Sequence, residues 1–115
     1  MAGLAMILND PAKGRLLVAR DEGGTVVGSA NLLYSVSTFL GGKVAVLEDV
    51  VVHPCYRGRG IGTQLLQNTL DLAKAEGCRR ITLLADAANV TAHAFYERHG
   101  FAKSTMIPMR HALTP

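Results

Sequence analysis

Residues 48–66 read EDVVVHPCYRGRGIGTQLL, and within this stretch the residue pattern changes from that of a strand to that of a turn and then of a helix. Apolar and β-branched residues over 44–52 predict a strand, and Pro54 ends it because proline has no N–H to donate to a sheet. Three glycines at alternate positions then predict a tight turn, and from Gly62 the apolar spacing becomes that of a helix. Unpaired N–H groups and the positive end of the helix dipole make such a turn an anion site, for which phosphate is the usual ligand.

Two common phosphate-binding motifs do not fit this turn. A Walker loop requires Lys followed by Ser or Thr after its last glycine, whereas Thr63 and Gln64 follow Gly62. The dinucleotide fingerprint requires glycine at its sixth position, which is Thr63 when the count starts at Gly58. An ordinary strand-to-helix turn that uses glycine for positive φ is the structural alternative.

The residues around the turn predict a mixed α/β sheet. Strands are expected over 15–20, 25–34 and 44–52, joined by turns at 21–24 and 41–42, as an antiparallel meander. Gly28, inside the second of these strands, predicts a bulge or a close backbone approach.

After the glycine turn, helical spacing predicts a helix over 62–76 that Gly77 ends. A strand over 78–85 follows directly, so it should lie parallel to the strand over 44–52. A second helix over 89–99 and a last strand over 101–113, with a bulge or edge position at Pro108, complete a β-α-β-α-β half.

Two motifs resemble those of the GNAT superfamily of N-acetyltransferases. The pattern Arg/Gln-x-x-Gly-x-Gly/Ala is met by Arg57, Gly60 and Gly62, and it resembles the acetyl-CoA-binding motif of the family. The second motif is the helix and strand that follow, matched by Asn89, Ala92, Tyr96, Gly100 and Phe101. Together they cover residues 44 to about 110. The resemblance implies one domain over 1–115 with the GNAT-like acyl-CoA N-acyltransferase fold.

The resemblance also implies acetyl-CoA (coenzyme A) as co-substrate. In the family, N–H groups of the loop hold the pyrophosphate, and the preceding strand opens away from its neighbour and pairs with the pantetheine arm. The cofactor-binding residues implied in this way are Val50, Val51, Val52, Arg57, Gly58, Arg59, Gly60, Ile61, Gly62, Thr63, Asn89 and Tyr96. The spacing of the histidines suggests no metal cluster, and Cys55 and Cys78 form no CxxC pair.

Three residues are candidates for catalysis. By resemblance the Tyr96 hydroxyl protonates the leaving thiolate, although a ring packed in the core is the alternative. Glu48 and Asp49 interrupt an apolar strand, where unpaired carboxylates are costly. A bulge common in the family at this place would break the simple alternation of faces. We expect Glu48, with Asp49 second, to accept the proton of the amine directly or through water; ion pairing with Lys43, Arg79 or Arg80 is the alternative.

The strand VLEDVVV over 46–52, which carries the acidic pair, particularly resembles the corresponding strand of glucosamine-phosphate N-acetyltransferases. We therefore expect acetyl transfer to the primary amine of a small molecule, an amino sugar or amino-acid-like amine, directly in a ternary complex. Acetylation of a protein or peptide is one alternative. A CoA-binding module with little catalysis is the other.

The remaining expectations concern setting and assembly. We expect the first strand and helix of the family to be cut to a stub over 2–8. The exposed sheet edge that this would leave predicts a homodimer that involves the truncated N-terminus or the last strand. A net charge of +3 favours an anionic cofactor. Aromatic residues make up only 5% of the chain, too few to predict a surface on which nucleic-acid bases would stack. Cysteine usage and the lack of a long apolar run predict a cytoplasmic protein without a membrane partner.

Overall fold

The computed structural model describes residues 12–115, so the expected stub over 2–8 lies outside the described residues. The chain divides into two compact units, the first ending at Leu84 and the second spanning Ala85–Pro115. The strands are β1 Gly14–Arg20, β2 Val26–Ser37, β3 Gly42–Val52 and β4 Ile81–Leu83, and the helices are α1 Ile61–Ala75 and α2 Val90–Arg98. A 3₁₀ turn spans Pro54–Tyr56 between β3 and α1.

The four strands form one sheet in the order β1-β2-β3-β4. The first three pair antiparallel, and β4 pairs parallel to β3. This arrangement confirms the predicted meander followed by a β-α-β unit. At the β1–β2 turn, Asp21 Oδ1 accepts the Thr25 N–H at 3.0 Å, which closes the turn around Gly24.

Helix α1 covers one face of the sheet. Its side chains Leu65, Leu66, Thr69 and Ala73 are buried, as are Leu32 and Leu47 in the strands. Gly28 lies under this helix, where an added Cβ would come 2.9 Å from Leu65 Cδ1 and 3.1 Å from Val51 O. The close approach expected at Gly28 is therefore present, because only glycine lets the helix sit this near the strand.

The predicted strand over 101–113 is wrong. Residues 101–115 form no regular structure, and every residue from 102 onward is exposed. Pro108 removes one donor, and within the second unit there is no strand with which this segment could form a ladder. Hydrophobic side chains such as Met106 and Met109 are left 82% and 90% exposed. The second half of the chain is thus β-α-β-α, and the homodimer expected to use this segment stays a prediction.

A cluster of charged residues anchors the far end of α1. Arg15 Nε donates to Glu76 Oε1 at 2.6 Å, and Lys43 Nζ lies 4.0 Å from Glu76 Oε2. Burial alone would raise the pKa of Glu76, but the hydrogen bond from Arg15 and its charge outweigh it, so the pKa is lowered. Beside them the Tyr34 hydroxyl is buried, and it has no hydrogen-bond partner among residues 12–115. Burial, with the nearby Glu76 carboxylate, raises the pKa of Tyr34 to about 12.

The raised pKa of Tyr34 predicts a loss of stability in alkali. Above the pKa of an ordinary tyrosine, about 10, the unfolded chain releases the phenolic proton while the folded chain keeps it until about pH 12. The free energy of unfolding should therefore fall between these two pH values. Urea unfolding of the wild type and Tyr34→Phe at pH 8 to 11.5 tests this: the phenylalanine variant should lose less stability. Parallel curves for the two proteins would contradict it.

Candidate functional site

A β-bulge on β3 places the acidic pair. In the β2–β3 register Asn31 lies opposite Asp49 and Leu32 lies opposite Leu47, so Glu48 is the extra residue. Leu47 is buried, but Glu48 and Asp49 are both exposed. Simple alternation would have turned one carboxylate into the core. The bulge shifts the register by one residue and brings both side chains to solvent.

Neither carboxylate is engaged by a basic side chain. Across residues 12–115, Glu48 and Asp49 form no ion pair or side-chain hydrogen bond. Lys43 and Arg79, two of the proposed ion-pair partners of this acidic pair, make other contacts. Lys43 lies near Glu76, and Arg79 donates to the Leu40 carbonyl at 3.1 Å. The third, Arg80, has no carboxylate within ion-pair distance among residues 12–115. The two carboxylates are therefore able to accept a proton or a hydrogen bond from a ligand.

The same point on β3 marks the end of its pairing with β4. The last paired residues are Leu47 and Leu83, whereas β3 continues to Val52. Since His53 N donates to Val27 O on β2, alternation turns the peptide groups of Val51 toward β2 and those of Val50 and Val52 away from it. In the described part of the chain no strand pairs with this outer edge.

The glycine turn leads from this edge into α1. Gly58 and Gly60 have φ of 78° and 80°, and Gly60 is the N-cap of α1 without a side-chain cap. A Cβ at either glycine would meet nothing within 4 Å, so glycine is required for backbone conformation and not for space. Among the described residues, the N–H groups of 58–63 have no acceptor, and the first helical bond runs from Gln64 N to Gly60 O. The turn therefore presents a set of unpaired donors at the positive end of a helix dipole.

The two arginines of the turn point to different partners. Arg57 Nε donates to the Val52 carbonyl at 3.3 Å, which occupies the last outward acceptor of β3. The Arg59 guanidinium carbon lies 5.1 Å from the centre of the Tyr56 ring, within range of a cation–π contact.

Sequence reasoning missed a contact between this turn and the first hairpin. The Tyr56 hydroxyl donates to Asp21 Oδ2 at 3.0 Å, although the two residues are 35 apart in sequence. The hydrogen bond to Asp21 raises the pKa of Tyr56, and the backbone N–H of Thr25 and then Tyr56 lower the pKa of Asp21. No local pattern signals such a pair. His53, which directly follows β3, accepts the Cys55 N–H on Nδ1 at 3.1 Å.

The second unit carries the other motif. Asn89 Oδ1 accepts the Ala92 N–H at 3.1 Å and caps α2, a position at which asparagine is favoured. The Tyr96 ring is half-buried and meets the rings of Phe95 and Phe101 edge-on, at 5.2 and 5.7 Å between centroids. The ring therefore packs in the way that the core alternative proposed.

Within 12–115, no three His, Cys, Asp or Glu side chains come together in a way that could hold a metal ion. No helix in this part of the chain is long and apolar enough to span a bilayer.

Known proteins resemble this chain in sequence and in fold. A glucosamine 6-phosphate N-acetyltransferase of Trypanosoma brucei brucei is 37% identical over 79 residues, which are 68% of this chain and 52% of that protein. N-alpha-acetyltransferase 30 of Schizosaccharomyces pombe is 42% identical over 66 residues, 57% of this chain and 42% of that protein. The crystal structure of a transcriptional regulator from Bacillus halodurans C-125 superposes with a TM-score of 0.85 at 32% identity, covering 96% of this chain and 73% of that one.

The chain spans about half the length of these curated relatives. The model of the Acetyltransferase (GNAT) family matches residues 3–101, which is most of the sequence. The open edge of β3, the bulge and the glycine turn all lie within that match. The chain therefore belongs to the GNAT family of acetyltransferases, a family that uses acyl-CoA.

Proposed function

We propose that this chain is an acetyl-CoA-dependent N-acetyltransferase that transfers acetyl directly, in a ternary complex, to the primary amine of a small molecule. One observation carries the proposal: the unpaired edge of β3 runs from two free carboxylates at Glu48 and Asp49 to a turn of unpaired N–H groups at the start of α1. The favoured acceptor is an amino sugar or an amino-acid-like amine, since a glucosamine 6-phosphate N-acetyltransferase is among the relatives.

The cofactor is proposed to bind along this edge. Unpaired N–H groups of 58–63 and the α1 dipole suit a pyrophosphate, because donors already aimed at one point cost little to organise. From residue 48 to residue 52 the edge spans about 13 Å at the usual rise of a strand, enough for an extended arm to add as a partial strand. The outward N–H and C=O of Val50 and the outward N–H of Val52 would pair with the amides of that arm, since Arg57 occupies the Val52 carbonyl. Val51 would contribute its exposed side chain.

The proposed chemistry removes protons from the attacking amine and delivers a proton to the departing sulfur. The amine must lose a proton to attack, and Glu48, exposed and unpaired, accepts it directly or through water, with Asp49 as the second candidate. The new C–N bond forms as the C–S bond breaks, and the sulfur leaves as a thiolate. Tyr96 donates its phenolic proton to that thiolate, a role assigned from the motif over 89–101. The nitrogen loses its second proton as it becomes the amide, and this proton restores the neutral phenol.

A protein N-terminus is the second candidate acceptor. Its support is the 42% identity with N-alpha-acetyltransferase 30, together with the exposure of both carboxylates, which leaves room for a chain as well as for a small molecule. A free α-amino group and an amino sugar both present a primary amine, so the chemistry at Glu48 would be the same. The acceptor alone separates the two functions.

Calorimetric titration with acetyl-CoA, followed by thiol release over a panel of amines, tests the proposed function. The panel should include glucosamine 6-phosphate, free amino acids and short peptides with free N-termini. We expect saturable binding and turnover on a small amine. Turnover on peptides alone would favour the second candidate. Binding without turnover would point to a CoA-binding module, and absence of binding would refute the assignment of residues 48–66.

Glu48→Gln should lower kcat by about a hundredfold, because an amide cannot accept the proton of the amine. The loss should shrink as the pH rises, since more of the amine is then already neutral. Asp49→Asn should have a smaller effect, and Glu22→Gln, the same change on the exposed β1–β2 turn, serves as the matched control. Equal kcat for Glu48→Gln and Glu22→Gln at every pH would show that Glu48 is not the base.

Tyr96→Phe should lower kcat about tenfold or more while leaving the KM for acetyl-CoA nearly unchanged, because the proton is needed only as the thiolate leaves. Phenylalanine preserves the edge-on contacts of the ring with Phe95 and Phe101. Tyr34→Phe, which removes a hydroxyl at the far end of α1, is the control. A rise in KM with unchanged kcat would reassign Tyr96 to cofactor binding.

A further inference from the structure

The structure distinguishes two arginines that the motif presents together. The guanidinium of Arg57 is held by the Val52 carbonyl. Arg59 lies over the Tyr56 ring and, within residues 12–115, makes no hydrogen bond or ion pair. A cation–π contact with an aromatic ring uses none of the N–H donors of a guanidinium. Arg59 therefore offers unused donors beside the N–H groups of the glycine turn.

Tyr56 is itself held in place by the first hairpin. Its hydroxyl donates to Asp21 Oδ2 at 3.0 Å, and Asp21 Oδ1 accepts the Thr25 N–H at 3.0 Å. The His53 ring meets Tyr56 edge-on at 6.0 Å between centroids. Since the ring is half-buried and bound at its tip, it forms a fixed platform between the β1–β2 turn and the glycine turn. The hydrogen bond to Asp21 raises the pKa of Tyr56, so the hydroxyl remains a donor.

We propose that Tyr56 is a positioning residue for the phosphate-bearing half of the cofactor, with its hydroxyl anchored on Asp21 and its ring holding Arg59 ready to bind a phosphate. This inference rests on the proposed function. Its physical basis is preorganisation: an exposed arginine normally loses much rotamer freedom when it binds, and a side chain already stacked loses less. A guanidinium–phosphate contact is charge-assisted and is stronger than a neutral hydrogen bond.

The proposal makes Asp21 part of the cofactor site although it carries the wrong charge for an anion. Its carboxylate is used internally, since both oxygens accept hydrogen bonds, from Thr25 N and from the Tyr56 hydroxyl. These donors lower the pKa of Asp21 and spread its charge. The β1–β2 turn, which is remote in sequence from the glycine motif, thereby sets the orientation of a residue in it.

Three thioester donors that differ in their phosphate groups test the proposal. We would measure kcat/KM with acetyl-CoA, acetyl-dephospho-CoA and S-acetylpantetheine, which has no phosphate. Arg59→Gln should lower kcat/KM about tenfold or more with a phosphate-bearing donor and leave S-acetylpantetheine unaffected. Tyr56→Leu should reproduce this pattern through the loss of the ring. Tyr56→Phe, which keeps the ring but not the anchor on Asp21, should give a smaller loss of the same kind.

The donor without phosphates separates positioning from mere structural damage. A structural lesion would lower kcat/KM equally with all three donors, and that result would overturn the proposal, as would no change with any of them. Lys74→Gln, which removes one exposed positive charge from α1, controls for overall charge. If the wild type binds acetyl-CoA in the calorimeter, such failures concern Tyr56 and Arg59 alone. Absence of wild-type binding would remove the proposed function and this inference together.

Discussion

The single extra residue at Glu48 is the constraint on which the site depends. An unbroken strand would alternate faces, so one of two adjacent carboxylates would be buried in the core beside Leu47. The bulge removes that cost by shifting the register after Leu47, which leaves Leu47 buried and both acidic residues exposed. Bulges commonly bend a strand and terminate its pairing. Here the pairing with β4 ends at the same residue, so the exposed carboxylates and the open edge arise at the same place.

The open edge is useful only because α1 is held in a defined position at both ends. Near its start, the lack of a side chain at Gly28 allows Leu65 to pack close to the backbone of β2. At its end, Glu76 is bound by Arg15 from β1 and approached by Lys43 from β3. These contacts join three strands to one helix. They direct the helix N-terminus, with its unpaired N–H groups, toward the continuation of the β3 edge.

Local chemistry accounts for most of what could be predicted. Pro54 ends a strand, glycine at Gly60 permits positive φ, and the spacing of Leu65, Leu66 and Thr69 marks the buried face of α1. The helix cap at Asn89 is equally local. The prediction of a strand over 101–113 was wrong because apolar residues alone do not make a strand. A strand requires a neighbour for its hydrogen bonds, and the sequence of the segment does not contain that neighbour.

By itself the sequence determined the order of strands and helices as far as α2, the glycine turn and the candidate residues, because each depends on residues within a few positions of one another. The tertiary structure decided how they are used. It placed the bulge at Glu48, left both carboxylates without basic partners, separated Arg57 from Arg59, and joined Tyr56 to Asp21. These features depend on register and on contacts between residues far apart in the chain. Strand pairing and packing create such contacts, and no local pattern of residues encodes them.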